Sequence, residues 1–134
     1  MTALSSRLAL AAALTLAGST ALAAPAEETL SLKFQAAGGD AAGTLQIQFV
    51  GYRDQRCPAN VHCISAGTAQ AMVWVQPNEG EGQLVTLPWS EEAVTAGGYR
   101  LQLKSLEPRP DTRKPPNPAD YKAVIVLQKL AGKP

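Results

Sequence analysis

Apolar side chains in this chain recur at every second position, in short runs separated by Gly, Pro and polar clusters. Leu30, Leu32 and Phe34 alternate, and Leu45, Ile47 and Phe49 alternate with Thr44, Gln46 and Gln48. Ala69, Ala71, Val73 and Val75 line one face of Thr68–Gln76, Gln83–Leu87 forms a run stopped by Pro88, and Tyr99, Leu101 and Leu103 alternate with Arg100, Gln102 and Lys104. A period of two is the signature of a half-buried strand. Tyr121–Leu130 is apolar on both faces through Val124–Leu127, which predicts a central strand. Regularly spaced short strands with turn signals predict an all-β domain, an immunoglobulin-like sandwich of about six to seven strands, with a small β-barrel as the alternative.

Three connecting stretches carry their own expectations. Ala36–Gly43 holds three glycines and reads as a turn. Ser90–Ala96 reads as one or two helical turns, with Ser90 as N-cap and Gly97 as the stop. Pro108–Ala119 (PRPDTRKPPNPA) holds five prolines and predicts a stiff, projecting loop between the last two strands. It reads either as a docking segment or as a hairpin loop whose prolines lower the entropy of disorder.

The start of the chain reads as an export signal. Arg7 is the only charged side chain before Glu27, Leu8–Leu16 is apolar apart from Thr15, and Ala21-Leu22-Ala23 has the small-x-small pattern of a cleavage site. The apolar core is about half of the roughly 20 residues a membrane span needs. Ser19 follows Leu16-Ala17-Gly18 where a lipoprotein would carry its acylated Cys. Residues 1–23 are therefore expected to be a signal peptide cleaved after Ala23, and residues 24–134 one domain, soluble in the periplasm or outside the cell. No membrane insertion is expected after cleavage.

Charge bounds the partners. The chain has 12 Lys+Arg and 11 Asp+Glu; Arg7 leaves with the signal, so the remainder is formally neutral. That balance excludes the basic footprint of a nucleic-acid binder and the polybasic attraction to anionic lipid.

The densest chemistry lies in Asp54–Gly67 (DQRCPANVHCISAG), which holds both cysteines and the single histidine. An even cysteine count in an exported chain argues for a Cys57–Cys63 disulfide. Pro58 would stiffen that loop, Asp54 and Arg56 would satisfy its backbone groups, and Gly67 would supply a positive φ. Alternatively, Cys57, His62 and Cys63 are three soft donors for Cu(I) or Zn(II). Thiol–disulfide catalysis fits less well, because the spacing is not C-x-x-C and no long helix follows. Glu79/Glu81 and Glu91/Glu92 lie in polar turns, and Trp74 and Trp89 could form a recognition patch or, for Trp74, core.

The run D-x-R-C-P-x4-C-x3-G resembles a group of small secreted bacterial proteins and lipoproteins of unknown function, and the later YRLQLKSLEPRP is similar to the same group's penultimate strand. Ser65 stands where that group often has Trp. The resemblance implies export, a β fold and the disulfide, and brings no activity with it. The functional expectation is a non-enzymatic binding or accessory module of the cell envelope, without cofactor and with an envelope protein as the expected partner. A small metal-handling protein is the alternative.

Overall fold

A computed structural model describes residues 18–19 and 27–131. The expected signal segment and its cleavage site lie almost wholly outside the described residues. Eight strands form in chain order: β1 (Glu27–Lys33), β2 (Ala37–Gly39), β3 (Leu45–Arg56), β4 (Gly67–Pro77), β5 (Gln83–Pro88), β6 (Val94–Ala96), β7 (Tyr99–Glu107) and β8 (Lys122–Lys129). They make two four-stranded antiparallel sheets, β1-β8-β7-β6 and β2-β3-β4-β5, which face each other as a sandwich and do not close into a barrel. Within each sheet the strands follow one another along the chain, apart from β8, which pairs with β1. As its two apolar faces predict, β8 is central.

The alternating apolar residues point into the space between the sheets. Ile47, Phe49, Val73, Val75 and Leu87 from one sheet meet Leu101, Leu103, Ile125 and Leu127 from the other, all 0–1% exposed. Burying a side chain of this size stabilises by about 1.5–3 kcal/mol, so this layer is the main source of cohesion.

The extra strands come from the two segments read differently above. Ala37–Gly39 inside the expected turn pairs with Gln46–Gln48. Ser90–Ala96 is not helical: it bends and then forms β6, whose Val94–Ala96 pair with Tyr99–Leu101. The physical reason is the next two residues. Gly97 and Gly98 have φ of +60° and +79°, a two-residue turn that reverses the chain into a hairpin. The glycine read as a helix stop is half of a strand turn.

The proline segment is corrected as well. Its first half does not project: residues 109–112 fold back on the cysteine loop. Ala59 N–H donates to Pro110 O at 2.8 Å, Thr112 N–H to Asn60 Oδ1 at 3.0 Å, and Arg109 Nε–H to Cys57 O at 3.2 Å. Asn117 caps a single 3-10 turn, Pro118–Asp120, that leads into β8. Among the described residues no helix is long and apolar enough to cross a membrane.

Candidate functional site

A single irregularity in β3 decides which side chains reach the interior near the cysteines. Leu45, Ile47 and Phe49 face inward, but the pairing with β4 shifts between Phe49 and Gly51. One extra residue, Val50, reverses the alternation. Beyond it the inward residues are Tyr52, Asp54 and Arg56. Two ionic side chains are thereby carried into the sandwich at the end of the strand.

They meet there as a pair. Arg56 donates to Asp54 from Nε at 2.8 Å and from Nη2 at 2.7 Å, and both side chains are about 95% shielded, 6% and 4% exposed. The guanidinium also donates across to the other sheet, from Nη1 to Leu106 O at 2.7 Å and from Nη2 to Pro108 O at 3.1 Å. Tyr121 donates its hydroxyl to Asp54 Oδ2 at 2.9 Å. The Tyr121 ring stacks on Tyr52 with centroids 3.8 Å apart, and Phe34 packs edge-on against Tyr52 and Phe49. Trp89 covers the guanidinium, 5.3 Å from ring centroid to Cζ.

The protonation states follow from this packing. Burial pushes the Asp54 carboxyl upward, but hydrogen bonds from Arg56 and Tyr121 and the Arg56 charge outweigh it and hold it below the usual carboxylate range. Burial, reinforced by Asp54, raises both the Tyr121 and Tyr52 phenols. The group is thus an ionised carboxylate, a cation and two protonated phenols. It ties β3, β7 and β8 together.

The cysteine loop sits directly outside this node. Cys57 and Cys63 are bonded to each other, with Cα atoms 5.8 Å apart. Cys57 N–H donates to Ala66 O at 2.8 Å, and Val61 N–H closes a turn onto Pro58 O at 3.3 Å. Gly67 has φ +78°, and a Cβ there would overlap the Gln55 carbonyl and lie 2.8 Å from Arg56 Cα. That position requires glycine. Asp54 and Arg56 do not serve this loop, as their proximity in sequence led us to expect. Arg56 instead satisfies carbonyls 50 and 52 residues away, because the bulge turns it inward. His62 is exposed, and with both sulfurs in the disulfide the donor set Cys57, His62 and Cys63 does not exist in this state. No group of three or more His, Cys, Asp or Glu placed to hold a metal occurs among the described residues.

A cleft of about 620 Å³ opens beside the node, walled by Arg56, Trp89, Pro108 and Arg109, with Lys33, Lys122 and Glu107 along it. A second, of about 390 Å³, shares Trp89 as a wall and is lined further by Glu91, Gln102 and Lys104. The larger cleft mixes both signs of charge, so it does not select one.

Sequence reasoning missed a second buried carboxylate at the far end of β3. Asp40, 7% exposed, accepts from Thr44 N–H at 2.7 Å, Leu45 N–H at 2.9 Å, and the hydroxyls of Thr44 and Tyr99. Burial pushes this carboxyl up, yet the hydrogen bonds from Thr44, Tyr99 and the two backbone amides hold it at about 2. The available signal was Asp40-x3-Thr44 ahead of the alternating run, an Asp placed to cap the turn into a strand. No family model, curated protein or solved structure matches the chain.

Proposed function

We propose that the chain is an exported, non-enzymatic binding module of the cell envelope. The observation that carries the reading is a pair of large apolar side chains left in solvent on a rigid sheet. Trp74 and Leu84 stand directly opposite one another on β4 and β5 and are 40% and 59% exposed. Adjacent exposed apolar groups on a regular surface mark contact sites. Export supports the same reading: the N-terminal signal pattern, the disulfide and the likeness of the cysteine segment to small secreted bacterial proteins agree with one another. The domain then works in the periplasm or outside the cell, from Ala24 onward.

Sedimentation with washed cell envelopes tests the reading. The wild type pellets with them, and Trp74→Ala stays in the supernatant while keeping its denaturant midpoint. A wild type that never pellets overturns the proposal. N-terminal sequencing of the exported protein checks the address, and an intact Met1 would contradict it.

A further inference from the structure

The outer faces of the two sheets differ in chemistry. On the first, Lys33 stands opposite Lys122 and Lys122 opposite Glu107. On the second, the register places Gln46 beside Gln76, Gln48 beside Trp74, Arg53 beside Gln70 and Gln55 beside Thr68. The alternation in β4, and in β3 on both sides of the Val50 bulge, sends all of these outward. Five carboxamides thus share one face with a single charged group, Arg53.

The indole at the middle of that face is held in place. A Cβ on Gly82 would lie 2.5 Å from Trp74 Cζ2, so the turn packs against the ring with no side chain between. Gln76 Nε2 fixes that turn by donating to Pro77 O at 3.1 Å and Gly80 O at 3.3 Å. Met72 lies over Gly51, where a Cβ would sit 2.9 Å from its Cε. Gln46, Gln55 and Gln70 make no side-chain hydrogen bond among the described residues, so their amides are free to bind a ligand.

This combination selects an occupant. Each carboxamide offers two donors and an acceptor without charge, which matches hydroxyl groups rather than phosphate or carboxylate. A flat, immobilised indole offers a stacking surface to the C–H face of a ring. Side chains on one face repeat about 7 Å along a strand and about 5 Å across strands, comparable to a pyranose ring. An anionic lipid surface would call for clustered Lys and Arg, and this face has one Arg. We propose that the outer face of β2-β3-β4-β5 binds an uncharged polysaccharide chain, with Trp74 as the stacking platform and the carboxamides of Gln46 and Gln70 as hydroxyl partners. The proposal rests on the binding-module reading and names its ligand class.

Native affinity electrophoresis in gels containing soluble neutral polysaccharides (hydroxyethyl cellulose, a β-1,3-glucan, a galactomannan) tests it. Trp89→Phe serves as the parent, so that fluorescence reports Trp74 alone. The parent is retarded by at least one of the three, with a change in Trp74 emission. Trp74→Ala weakens binding at least tenfold, Gln46→Ala with Gln70→Ala weakens it several-fold, and Lys33→Ala with Lys122→Ala leaves it unchanged. Equal denaturant midpoints establish that the variants are folded. Retardation by none of the neutral polymers overturns the ligand class, and envelope sedimentation by the same protein then shows that the binding reading survives. Retardation by alginate alone, lost in the lysine variant, also overturns it. So does a wild-type dimer that Trp74→Ala converts to monomer, because the face is then a self-association surface.

Discussion

The sandwich is pinned at both ends by a buried aspartate that accepts a tyrosine hydroxyl from the opposite sheet, and the two pins are built on different principles. At one end Asp40 meets Tyr99, the first residue of β7, and its other partners are the amides and hydroxyl of Thr44 and Leu45. Only neutral dipoles hold that charge. At the other end Asp54 meets Tyr121, just before β8, and is neutralised by a forked pair with Arg56. Apart from the Tyr99 hydroxyl, the first pin is local, built within five residues of turn. The second draws on positions 50 or more residues apart. A carboxylate can thus be buried largely by the donors of its own turn, with one hydroxyl from the opposite sheet, whereas the buried cation–anion pair takes its carbonyl and hydroxyl partners from distant parts of the chain.

The largest effect should come from breaking the ionic pin on one side. Asp54→Ala leaves the Arg56 guanidinium buried without its anion and should cost about 3–5 kcal/mol in denaturant unfolding. Adding Arg56→Met removes the orphaned charge and should recover a substantial part of that loss. A double variant no more stable than the single one would mean that the pair is not a self-contained unit.

Next comes the disulfide, which braces only the Asp54 end. It closes a loop of seven residues counting both cysteines, from Cys57 to Cys63. Cys57→Ser with Cys63→Ser should therefore cost roughly 2–2.5 kcal/mol in the chain-entropy account. Amide exchange should rise in Pro108–Ala119, which hydrogen-bonds to that loop, and not around Asp40. Unchanged exchange in the proline segment would uncouple the two loops.

The two pins also explain what was legible in advance. Strand identity, the central place of β8, the sandwich and the Cys57–Cys63 bond follow from periodicity, two-faced apolarity and cysteine spacing, all of which are local. The inward turn of Asp54 and Arg56 depends on the Val50 bulge. A bulge is a matter of register between two strands, so the Phe49-Val50-Gly51-Tyr52 sequence does not display it. For the same reason the carbonyl partners of Arg56 were invisible, since they lie on β7 and the loop after it. β6 was hidden differently: three residues are too few for a periodic pattern, and the Gly97-Gly98 turn outweighs a weak helical preference. The glutamine face could have been found from Gln46/Gln48 and Gln70/Gln76, which keep strand spacing on the polar side of two adjacent runs. Only the register shows that they converge on Trp74.

Acid should separate the pins again. A carboxylate depressed in the folded state binds fewer protons there than when unfolded, so its contribution is complete above about pH 4 and disappears as pH falls through the folded value. For Asp40 that value is about 2. The depression corresponds to about 2 kcal/mol lost between roughly pH 4 and pH 2. Asp40→Asn should be less stable at pH 7 and should lose less on acidification. An unaltered acid limb in this variant would remove Asp40 from the account.

The smallest effects, and the sharpest comparison, come from deleting each tyrosine hydroxyl. Both changes leave the rings in place: the Tyr121 ring keeps its stack on Tyr52, and the Tyr99 ring stays in the core cluster. Each removes one donor to an ionised, shielded carboxylate, which costs about 1 kcal/mol or somewhat more. The remaining partners decide the order. Asp54 still has Arg56, whose full charge offsets the missing dipole. Asp40 retains only the neutral donors from Thr44 and Leu45, so its charge is left less compensated and its folded pKa rises. Tyr99→Phe should therefore destabilise more than Tyr121→Phe, and should shift the acid limb toward higher pH where Tyr121→Phe shifts it less. Equilibrium unfolding of the two variants at pH 7 and pH 3 measures both quantities. A larger loss for Tyr121→Phe would reverse the assignment, making the ionic end the one that depends on its hydroxyl and the turn-capped end self-sufficient.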